Sequence, residues 1–352
     1  MDAVLLVGSI PLKTSDDVCT VRGDMRRWHG IMLVVAAFFW AAPVLFSQTT
    51  LGKLERVEMF GNTYVSMRDW AELIKMDFKW TRKDEEITMT SKWSKFVFTV
   101  DSRQSQINGV AVSLSVPIAR RNGGAYIAPL DVVSAINPVI NPPRNPKGKV
   151  KTICLDPGHG GKDPGNQEGR LQEKKYTLLL AEELKSKLED AGFKVVLTRS
   201  DDSFTELGSR PEYARKRGAD LLVSLHFNAA ADKGVTGVET YCMTPPHASS
   251  TNARGEGAAN GAYEGNRYDD RNMWLAWNVQ KSVTKALGTD DRGVRRARFA
   301  VLRHSEIPAI LVEGGFMTSS DDGKKIYDRA WRAKLAQGIL EGIQAYKKGL
   351  DR

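Results

Sequence analysis

The chain has 352 residues, enough for two domains and a sizeable core, and its composition is that of an ordinary globular protein. The formal net charge of +9 suits an anionic partner, such as nucleic acid, an acidic membrane surface or an acidic wall polymer. The basic residues are scattered and no nucleic-acid motif occurs, so we expect no nucleic-acid partner. Cys19, Cys154 and Cys242 form no CxxC pair, which excludes cysteine-rich zinc modules. Cys154 and Cys242 both fall in apolar, strand-like runs, so we expect them to be small buried side chains, and a bridge between them stays open.

The N-terminus carries an export pattern. The basic segment Met25 to Gly30 precedes 16 apolar residues, Ile31 to Phe46. This pattern predicts a secretory signal, and the run is shorter than the roughly 18 residues expected of a spanning helix. Because no A-x-A site precedes Gln48, an uncleaved membrane anchor is the alternative. We interpret residues 1–48 as an over-extended N-terminus plus a signal peptide or anchor, so that the remainder is exported to the periplasm or cell envelope.

The residue pattern of positions 50–140 predicts a small α+β domain. Lys95 to Val100 and Val110 to Val116 alternate apolar and polar residues like strands, with an Asn-Gly turn signal before the second. A faint internal repeat relates "GNTYVSMRDW", which begins at Gly61, to "GGAYIAPLDV", which begins at Gly123. Each copy is a turn, an aromatic residue, a short strand and the start of a helix. The segment is therefore a compact module with pseudo-repeated halves.

This module resembles the small stalk-type N-terminal domain named after copper amine oxidases. The resemblance implies no copper here, because residues 51–150 contain no histidine. We expect a spacer or wall-adhering module without catalysis. The proline-rich residues 141–149 then form a linker and a domain boundary.

From residue 150 to residue 350, strands and helices alternate. This order predicts an α/β fold with a mostly parallel sheet flanked by helices on both faces. The predicted strands are VKTICLD, KVVLTR, DLLVSLHFN and IPAILVEGG, and the predicted helices are EKKYTLLLAEELKSKLEDAG, RPEYARKRGA, RNMWLAWNVQKSVTKALG and RAWRAKLAQGILEGIQAYKKGL. Apolar runs such as AILV fit strands that are buried on both sides.

Four polar residues fall at the carboxyl edge of the predicted sheet, where ligands bind in such folds. His159 follows the first strand, Glu173 opens the first helix, and His226 and Glu313 end later strands. Glu173 lies on the same helical stripe as Thr177 and three leucines, so we expect its carboxylate to be buried. A buried carboxylate is costly without a cation or a hydrogen-bonding partner.

Two imidazoles and one carboxylate are the ligand set of a catalytic zinc that keeps one position open. His159, Glu173 and His226 are therefore the predicted ligands of Zn²⁺, which lowers the pKa of bound water to about 7. Glu313 is the predicted general base and acid. Each residue alone has a more ordinary explanation, such as a core histidine or a helix N-terminal carboxylate, and the joint placement favours the metal site.

Three further residues lie near these segments or carry an imidazole. We expect Asp156 to be the partner that orients His159. His247 lies in a polar loop, and His304 lies at the wrong end of its strand, so neither is expected to be a ligand.

The segments "LDPGHGGKDPG", "EKKYTLLLAEEL", "LLVSLHFNA", "GVETY" and "IPAILVEGGFMTS" occur in the order of the zinc-dependent N-acetylmuramoyl-L-alanine amidases. The resemblance spans roughly residues 150 to 347. It implies a peptidoglycan hydrolase, expected to be monomeric, that cleaves the amide between the muramic lactyl group and the L-alanine of the stem peptide. By the same resemblance, His159, Glu173 and His226 match the zinc ligands, Glu313 matches the catalytic glutamate, and Asn228 contacts substrate.

The polar segment from Thr244 to Asn272 has the composition of a mobile loop. Some relatives carry an occluding helix near this point, but this segment lacks the apolar stripe of such a helix. We expect a substrate-gripping loop. Two alternative functions stay open: another envelope zinc peptidase or deacetylase, and a non-catalytic wall-binding protein with a structural zinc.

Overall fold

A computed structural model describes residues 51–144, 149–251 and 261–351. The predicted signal peptide or anchor within residues 1–48 lies outside the described residues, as does Cys19. Among the described helices, none combines the length and apolarity that a membrane crossing needs.

The bounds of the elements follow in chain order. The strands are β1 (Arg56–Met59), β2 (Asn62–Ser66), β3 (Asp77–Arg82), β4 (Glu86–Thr90), β5 (Lys95–Thr99), β6 (Gln104–Ile107), β7 (Val110–Ser113), β8 (Ala119–Arg121), β9 (Gly124–Ile127), β10 (Thr152–Pro157), β11 (Gln167–Glu168), β12 (Leu171–Gln172), β13 (Lys194–Leu197), β14 (Leu221–Asn228), β15 (Val238–Met243), β16 (Asp291–Ala297) and β17 (Ala309–Phe316). The α-helices are α1 (Met67–Leu73), α2 (Pro129–Asp131), α3 (Asn137–Ile140), α4 (Glu173–Asp190), α5 (Ser209–Lys216), α6 (Asp269–Leu287), α7 (Ala300–Arg303), α8 (Asp322–Tyr327) and α9 (Arg329–Leu350). A π-helical turn, Val132–Ile136, joins α2 to α3, and a 3-10 helix, Glu264–Tyr268, precedes α6.

The N-terminal segment forms the predicted small α+β structure. A four-stranded sheet has the order β1-β2-β9-β8. Its two central strands come from the two copies of the internal repeat, and they pair antiparallel with Val65 opposite Ile127. Asn108 and Gly109 both have positive φ, at 51° and 81°, as the tight turn between β6 and β7 requires.

A sheet of eleven strands runs through the rest of the described chain in the order β13-β10-β14-β17-β15-β16-β7-β6-β5-β4-β3. Strands β13, β10, β14 and β17 are parallel neighbours, and β15 pairs antiparallel with β17 and parallel with β16. The expected mostly parallel α/β sheet is confirmed for this half. Strand β7 extends it by pairing with β16 at Val112 and Val294, so strands from both segments share one sheet.

Helices cover both faces of the parallel half, as predicted. One face packs against α4, α6 and α9, and the other packs against α5 and α7. The buried stripe of α4 contains Glu173, Thr177, Leu180, Leu184 and Leu188, as the helical spacing predicts. Helix α6 ends where Gly288 takes the left-handed conformation with φ 60°.

The structure adds one strand to this half and confirms that the two cysteines are buried side chains. Strand β15 contains the strand-like run around Cys242, but strand β16 was not predicted, because Asp, Arg and Gly outnumber its apolar residues and weaken the hydrophobic signal. Cys154 and Cys242 are both buried and free, so no bridge joins them. Cys154 belongs to the apolar cluster on one face of the sheet and Cys242 to the cluster on the other.

The described flanks of the polar segment 244–272 are packed rather than loose. Thr244 and Ser250 are buried and their hydroxyls lie 2.9 Å apart. The Thr251 hydroxyl accepts a hydrogen bond from the backbone N–H of Arg296 at 2.8 Å. The expectation of a mobile loop therefore fails for these flanks, because their polar groups are satisfied by one another and by strand β16.

Candidate active site

The four predicted polar residues meet at the carboxyl edge of the sheet. His159 lies just after β10, Glu173 is the first residue of α4, and His226 and Glu313 lie on β14 and β17. The donor atoms of His159, Glu173 and His226 all lie within 4.8 Å of one another. Glu313 lines the same pocket as these three residues.

The Glu173 carboxylate lies at the centre of this group. Its Oε2 is 3.1 Å from His159 Nε2, and its Oε1 is 3.0 Å from His226 Nδ1. The backbone N–H groups of Asn166 and Phe227 donate to the same two oxygens at 2.8 and 3.0 Å. Burial alone would raise the pKa of Glu173, but the two imidazoles hold this pKa far below its ordinary value. Glu173 is therefore an anion although its side chain is only 1% exposed.

His159 is oriented by a residue that the sequence analysis did not select. Its Nδ1 lies 2.8 Å from Asp163 Oδ2, which leaves Nε2 to face Glu173. Burial alone would lower the pKa of His159, but Glu173 and Asp163 outweigh this effect and raise it. His159 has a φ of 64°, a left-handed conformation that is uncommon outside glycine. The loop therefore holds this imidazole in a fixed, strained position.

Two positions of the same loop require glycine, because the side chains of His226 and Glu173 approach the loop backbone closely there. A Cβ at Gly158 would lie 2.3 Å from the His226 ring, and a Cβ at Gly165 would lie 2.6 Å from Glu173 Oε2. Neither gap could hold a side chain, since real Cβ contacts are longer than 3.0 Å. The glycine content of the loop thus makes room for the imidazole of His226 and the carboxylate of Glu173.

Asp156 does not contact His159, which corrects the expectation from the sequence. Its Oδ1 accepts from Thr198 Oγ1 at 2.6 Å and from Arg210 Nη1 at 2.8 Å, and its Oδ2 accepts from Ser224 Oγ at 2.7 Å. Asp156 is the register partner of Ser224 across β10 and β14, so both side chains lie on the same face of the sheet, at the floor of the pocket. Burial would raise its pKa, but Arg210 and the two hydroxyls lower it.

Two buried arginines hold the backbone of the His159 loop, and neither was singled out from the sequence. Arg210 donates to the carbonyls of Pro157 and His159 at 3.1 and 3.0 Å. Arg199 donates to the carbonyls of Pro157 and Gly158 at 3.0 and 2.8 Å. Asp156 therefore supports His159 indirectly, through the guanidinium of Arg210.

Glu313 is the second carboxylate of the site. Its Oε2 is shielded from solvent and has no hydrogen-bond partner among the described residues. Burial, Glu173 and Glu239 raise its pKa well above the ordinary value of 4.5. Glu239 is opposite Glu313 across β15 and β17, and its own charge is held by Arg292 Nε at 2.6 Å.

The remaining predicted residues lie apart from this cluster. The Asn228 side chain accepts from the backbone N–H of Ala229, and Asn228 is not among the residues that line the pocket. His247 and His304 are exposed, and His304 Nδ1 lies 3.6 Å from a Glu264 oxygen. The structure thus places neither histidine in the cluster, as expected. Asn166 lines the pocket instead, and its Nδ2 donates to the Phe227 carbonyl at 2.9 Å.

The pocket beside the cluster has a volume of about 300 Å³. It opens between the segment before α5 and the start of α7, above β14 and β17. The polar cluster forms one wall, and apolar side chains form the other, which is the usual composition of a small-molecule site.

Two known families match this chain in separate segments. Residues 153–345 match the N-acetylmuramoyl-L-alanine amidase family, and residues 56–140 match the copper amine oxidase N-terminal domain family. Both resemblances seen in the sequence are therefore confirmed.

Among curated proteins, the chain is 34% identical over 196 residues to the uncharacterised protein YqiI of Bacillus subtilis, covering 56% of this chain and 84% of that protein. It is 35% identical over 234 residues to the N-acetylmuramoyl-L-alanine amidase AmiC of Neisseria meningitidis, covering 60% of this chain and 56% of that protein. It is 34% identical over 196 residues to the amidase LytC of B. subtilis, covering 56% of this chain and 35% of that protein. The chain thus spans 35% to 56% of the length of these two amidases.

Solved structures give similar results. The amidase AmiC2 of Nostoc punctiforme matches with a TM-score of 0.48 and 32% identity, covering 57% of this chain and 99% of that chain. An N-acetylmuramoyl-L-alanine amidase of Clostridium difficile 630 matches with a TM-score of 0.47 and 32% identity, covering 56% of this chain and 97% of that chain.

Proposed function

Because the chain belongs to the N-acetylmuramoyl-L-alanine amidase family, we propose that it hydrolyses the amide between N-acetylmuramic acid and the first L-alanine of the peptidoglycan stem peptide. The observation that carries this proposal is the convergence of His159, Glu173 and His226 beside Glu313. The four residues come from four separate parts of the chain, and together they bring two imidazoles and two carboxylates into one pocket.

We propose that His159, Glu173 and His226 hold a zinc ion. Two features of the site fit this ion: the donor set of two imidazole nitrogens and one carboxylate, and the short separations of the donor atoms. The contact between Asp163 and His159 Nδ1 fits as well, because metal-binding imidazoles direct their second nitrogen to a carboxylate. When bound, zinc would supply a Lewis acid and lower the pKa of a water molecule to about 7.

Glu313 is the proposed general base and acid. Its raised pKa brings the carboxyl group toward the range in which a group both accepts and returns a proton at neutral pH. Its Oε2 has no competing hydrogen bond within the described part of the chain, so it is available to take a proton from water. Glu313 would then deliver that proton to the leaving amine of L-alanine. The strand register keeps this carboxylate beside His226 throughout the reaction.

The same proposal extends to location and organisation. A peptidoglycan substrate requires an exported protein, which agrees with the predicted signal peptide or anchor in residues 1–48 and with a periplasmic or envelope location. We further propose that residues 50–140 are a non-catalytic module, residues 141–149 a linker and residues 150–350 the catalytic part. The separate family matches support this division. A monomer suffices, because one chain supplies the complete cluster.

Digestion of purified peptidoglycan tests the proposal. The zinc-loaded protein should release stem peptides that begin with L-alanine and leave a peptide-free glycan, which mass spectrometry identifies. Acetate release would indicate a deacetylase, and internal peptide fragments would indicate a peptidase. Glu313→Gln is the control, and it should keep its zinc and release no peptides. Zinc binding without any wall cleavage by the wild-type protein would instead support the non-catalytic alternative.

A further inference from the structure

Four large apolar side chains are exposed in the described part of the chain, and two of them lie at the rim of the candidate active site. Leu207 is 56% exposed and Phe299 is 40% exposed, and both line the 300 Å³ pocket. The other two, Phe60 and Trp93, lie in hairpin turns of the N-terminal module. Large apolar side chains that border a pocket mark a binding surface more often than single scattered ones do.

Both rim residues are held in place by the backbone around them. The Phe299 carbonyl accepts from the N–H groups of Leu302 and Arg303 at 2.9 Å, and its ring lies 5.2 Å from the Tyr241 ring. The segment of Leu207 is tied down by Arg210, which donates to the Thr205 carbonyl at 3.1 Å. The backbone that carries these two side chains is therefore fixed at the rim.

The apolar surface continues inward from the rim. Val301 and Leu311 line the pocket and are only 5% and 4% exposed. Val301 comes from α7 and Leu311 from β17, two residues before Glu313. A group bound against these side chains would thus lie next to the reacting carboxylate.

The polar residues of the pocket floor are already satisfied by one another. Asp156 accepts from Thr198, Arg210 and Ser224. Arg210 Nε donates to Thr205, Nη1 to Asp156 and Pro157, and Nη2 to His159 and Thr205. The Ser224 hydroxyl gives its proton to Asp156. A ligand in this part of the pocket would therefore make apolar contacts and would find no free hydrogen-bond donor on Arg210 or Ser224.

We propose that Leu207, Phe299, Val301 and Leu311 form an apolar subsite for the methyl group on a carbon that flanks the scissile amide. This inference rests on the proposed amidase function, because that substrate carries such a methyl on both sides: one on the lactyl group and one on L-alanine. The pocket of about 300 Å³ also holds the polar cluster, so the four apolar side chains line only part of it and leave room there for one short branch beside the scissile amide. The subsite would make the enzyme select for a methyl-bearing neighbour of the amide.

Binding to a catalytically blocked protein tests the subsite. Zinc-loaded Glu313→Gln is titrated with a muramoyl peptide, with its glycine analogue and with its glycolyl analogue, which lack the alanyl and the lactyl methyl respectively. Loss of the recognised methyl should raise Kd about tenfold, the usual effect of one carbon in an apolar pocket. The analogue that shows the larger change identifies which methyl is bound. Equal Kd values for all three ligands would overturn the proposal.

Rim variants then assign the effect to this pocket. Adding Phe299→Ala or Leu207→Ala to Glu313→Gln should reduce the tenfold preference to about twofold. Trp93→Ala is the matched control, an exposed aromatic side chain outside the pocket, and it should leave the preference unchanged. If the rim variants weaken all three ligands equally, Phe299 and Leu207 contact another part of the substrate and the proposal fails. Absence of cleavage by the wild-type protein would refute the amidase function, while the Kd ratios would still decide the subsite.

Discussion

His226 of β14 and Glu313 of β17 are direct register partners on neighbouring parallel strands. Paired residues direct their side chains to the same face of a sheet, so main-chain hydrogen bonds fix the imidazole and the carboxylate relative to each other. Glu239 of β15 continues this row on the other side of Glu313. A site built on strands in this way is held more precisely than one built on loops alone.

Replacement of Glu313 by glutamine should abolish activity and stabilise the metal-free protein. Loss of a general base lowers kcat by about 10²- to 10⁴-fold. The folded protein raises the pKa of Glu313 above 4.5. Above pH 4.5, Glu313 therefore keeps its proton in the folded protein, while the unfolded chain releases it. The stability of the wild-type protein consequently falls as pH rises through this range. The stability advantage of Glu313→Gln should therefore grow above pH 4.5, which urea unfolding at several pH values would measure. A constant difference at every pH would contradict the assigned burial.

Metal affinity should fall as pH decreases from neutral. A metal binds the neutral imidazole, and Glu173 and Asp163 raise the pKa of His159 above its ordinary value of 6.5. Protons therefore compete with the metal at a higher pH than they would for an unperturbed histidine. Zinc titration against a chelating indicator at pH 8, 7 and 6 measures this dependence, and an affinity independent of pH would exclude His159 as a ligand.

Asp163→Asn should weaken zinc binding by about 10- to 100-fold, because the amide no longer orients and polarises the His159 ring as a carboxylate does. Asp202→Asn is a suitable control. Asp202 also accepts from the same loop, at Gly161 N–H, but it contacts no imidazole. Equal losses of affinity in both variants would indicate a general loosening of the loop.

The buried pair of Asp156 and Arg210 should be important for folding stability. Both side chains are only 1% exposed, and removal of one partner leaves the other charge buried, at a cost of about 3–5 kcal/mol. Asp156→Asn should show this loss in urea unfolding near pH 7. The folded protein lowers the pKa of Asp156 below 3.8. The wild-type protein should therefore be more stable than Asp156→Asn above pH 3.8, and this difference should disappear as pH falls through the lowered pKa. The exposed pair of Glu212 and Lys216 is the contrast, and Glu212→Gln should leave stability unchanged.

The N-terminal module and residues 150–350 should unfold together. Arg296 Nη2 donates to the Ser134 carbonyl at 2.6 Å, and Trp277 Nε1 donates to the Ile107 carbonyl at 3.1 Å, so each side satisfies buried groups of the other. Thermal unfolding followed by circular dichroism and by tryptophan fluorescence should give coincident transitions. Two resolved transitions would indicate that the parts are energetically independent.

Much of the candidate site could be predicted because its residues follow simple positional rules. His159, His226 and Glu313 lie at or beyond the ends of apolar runs, and the parallel sheet brings such ends to one edge. Glu173 could be placed because helical spacing puts it on the buried stripe of α4. These positions depend on local pattern and on sheet direction alone.

The partner of His159 could not be predicted in the same way. Asp156 and Asp163 lie three and four residues from His159, and the sequence offers no ground to choose between them. The positive φ of His159 reverses the loop and brings Asp163 to the ring, while strand alternation turns Asp156 toward Arg210. The roles of Arg199 and Arg210 were missed for a related reason, because most of their acceptors are backbone carbonyls, which leave no trace in the sequence.

The pairing of β7 with β16 has a consequence for the solubility of the protein. Strand β16 would otherwise present a row of unpaired amides and carbonyls, a template on which another chain could add a strand. The module occupies that position. Proteolytic clipping that detached it would turn a shielded strand into a site of intermolecular aggregation, whether or not the residues of the candidate site were still in place.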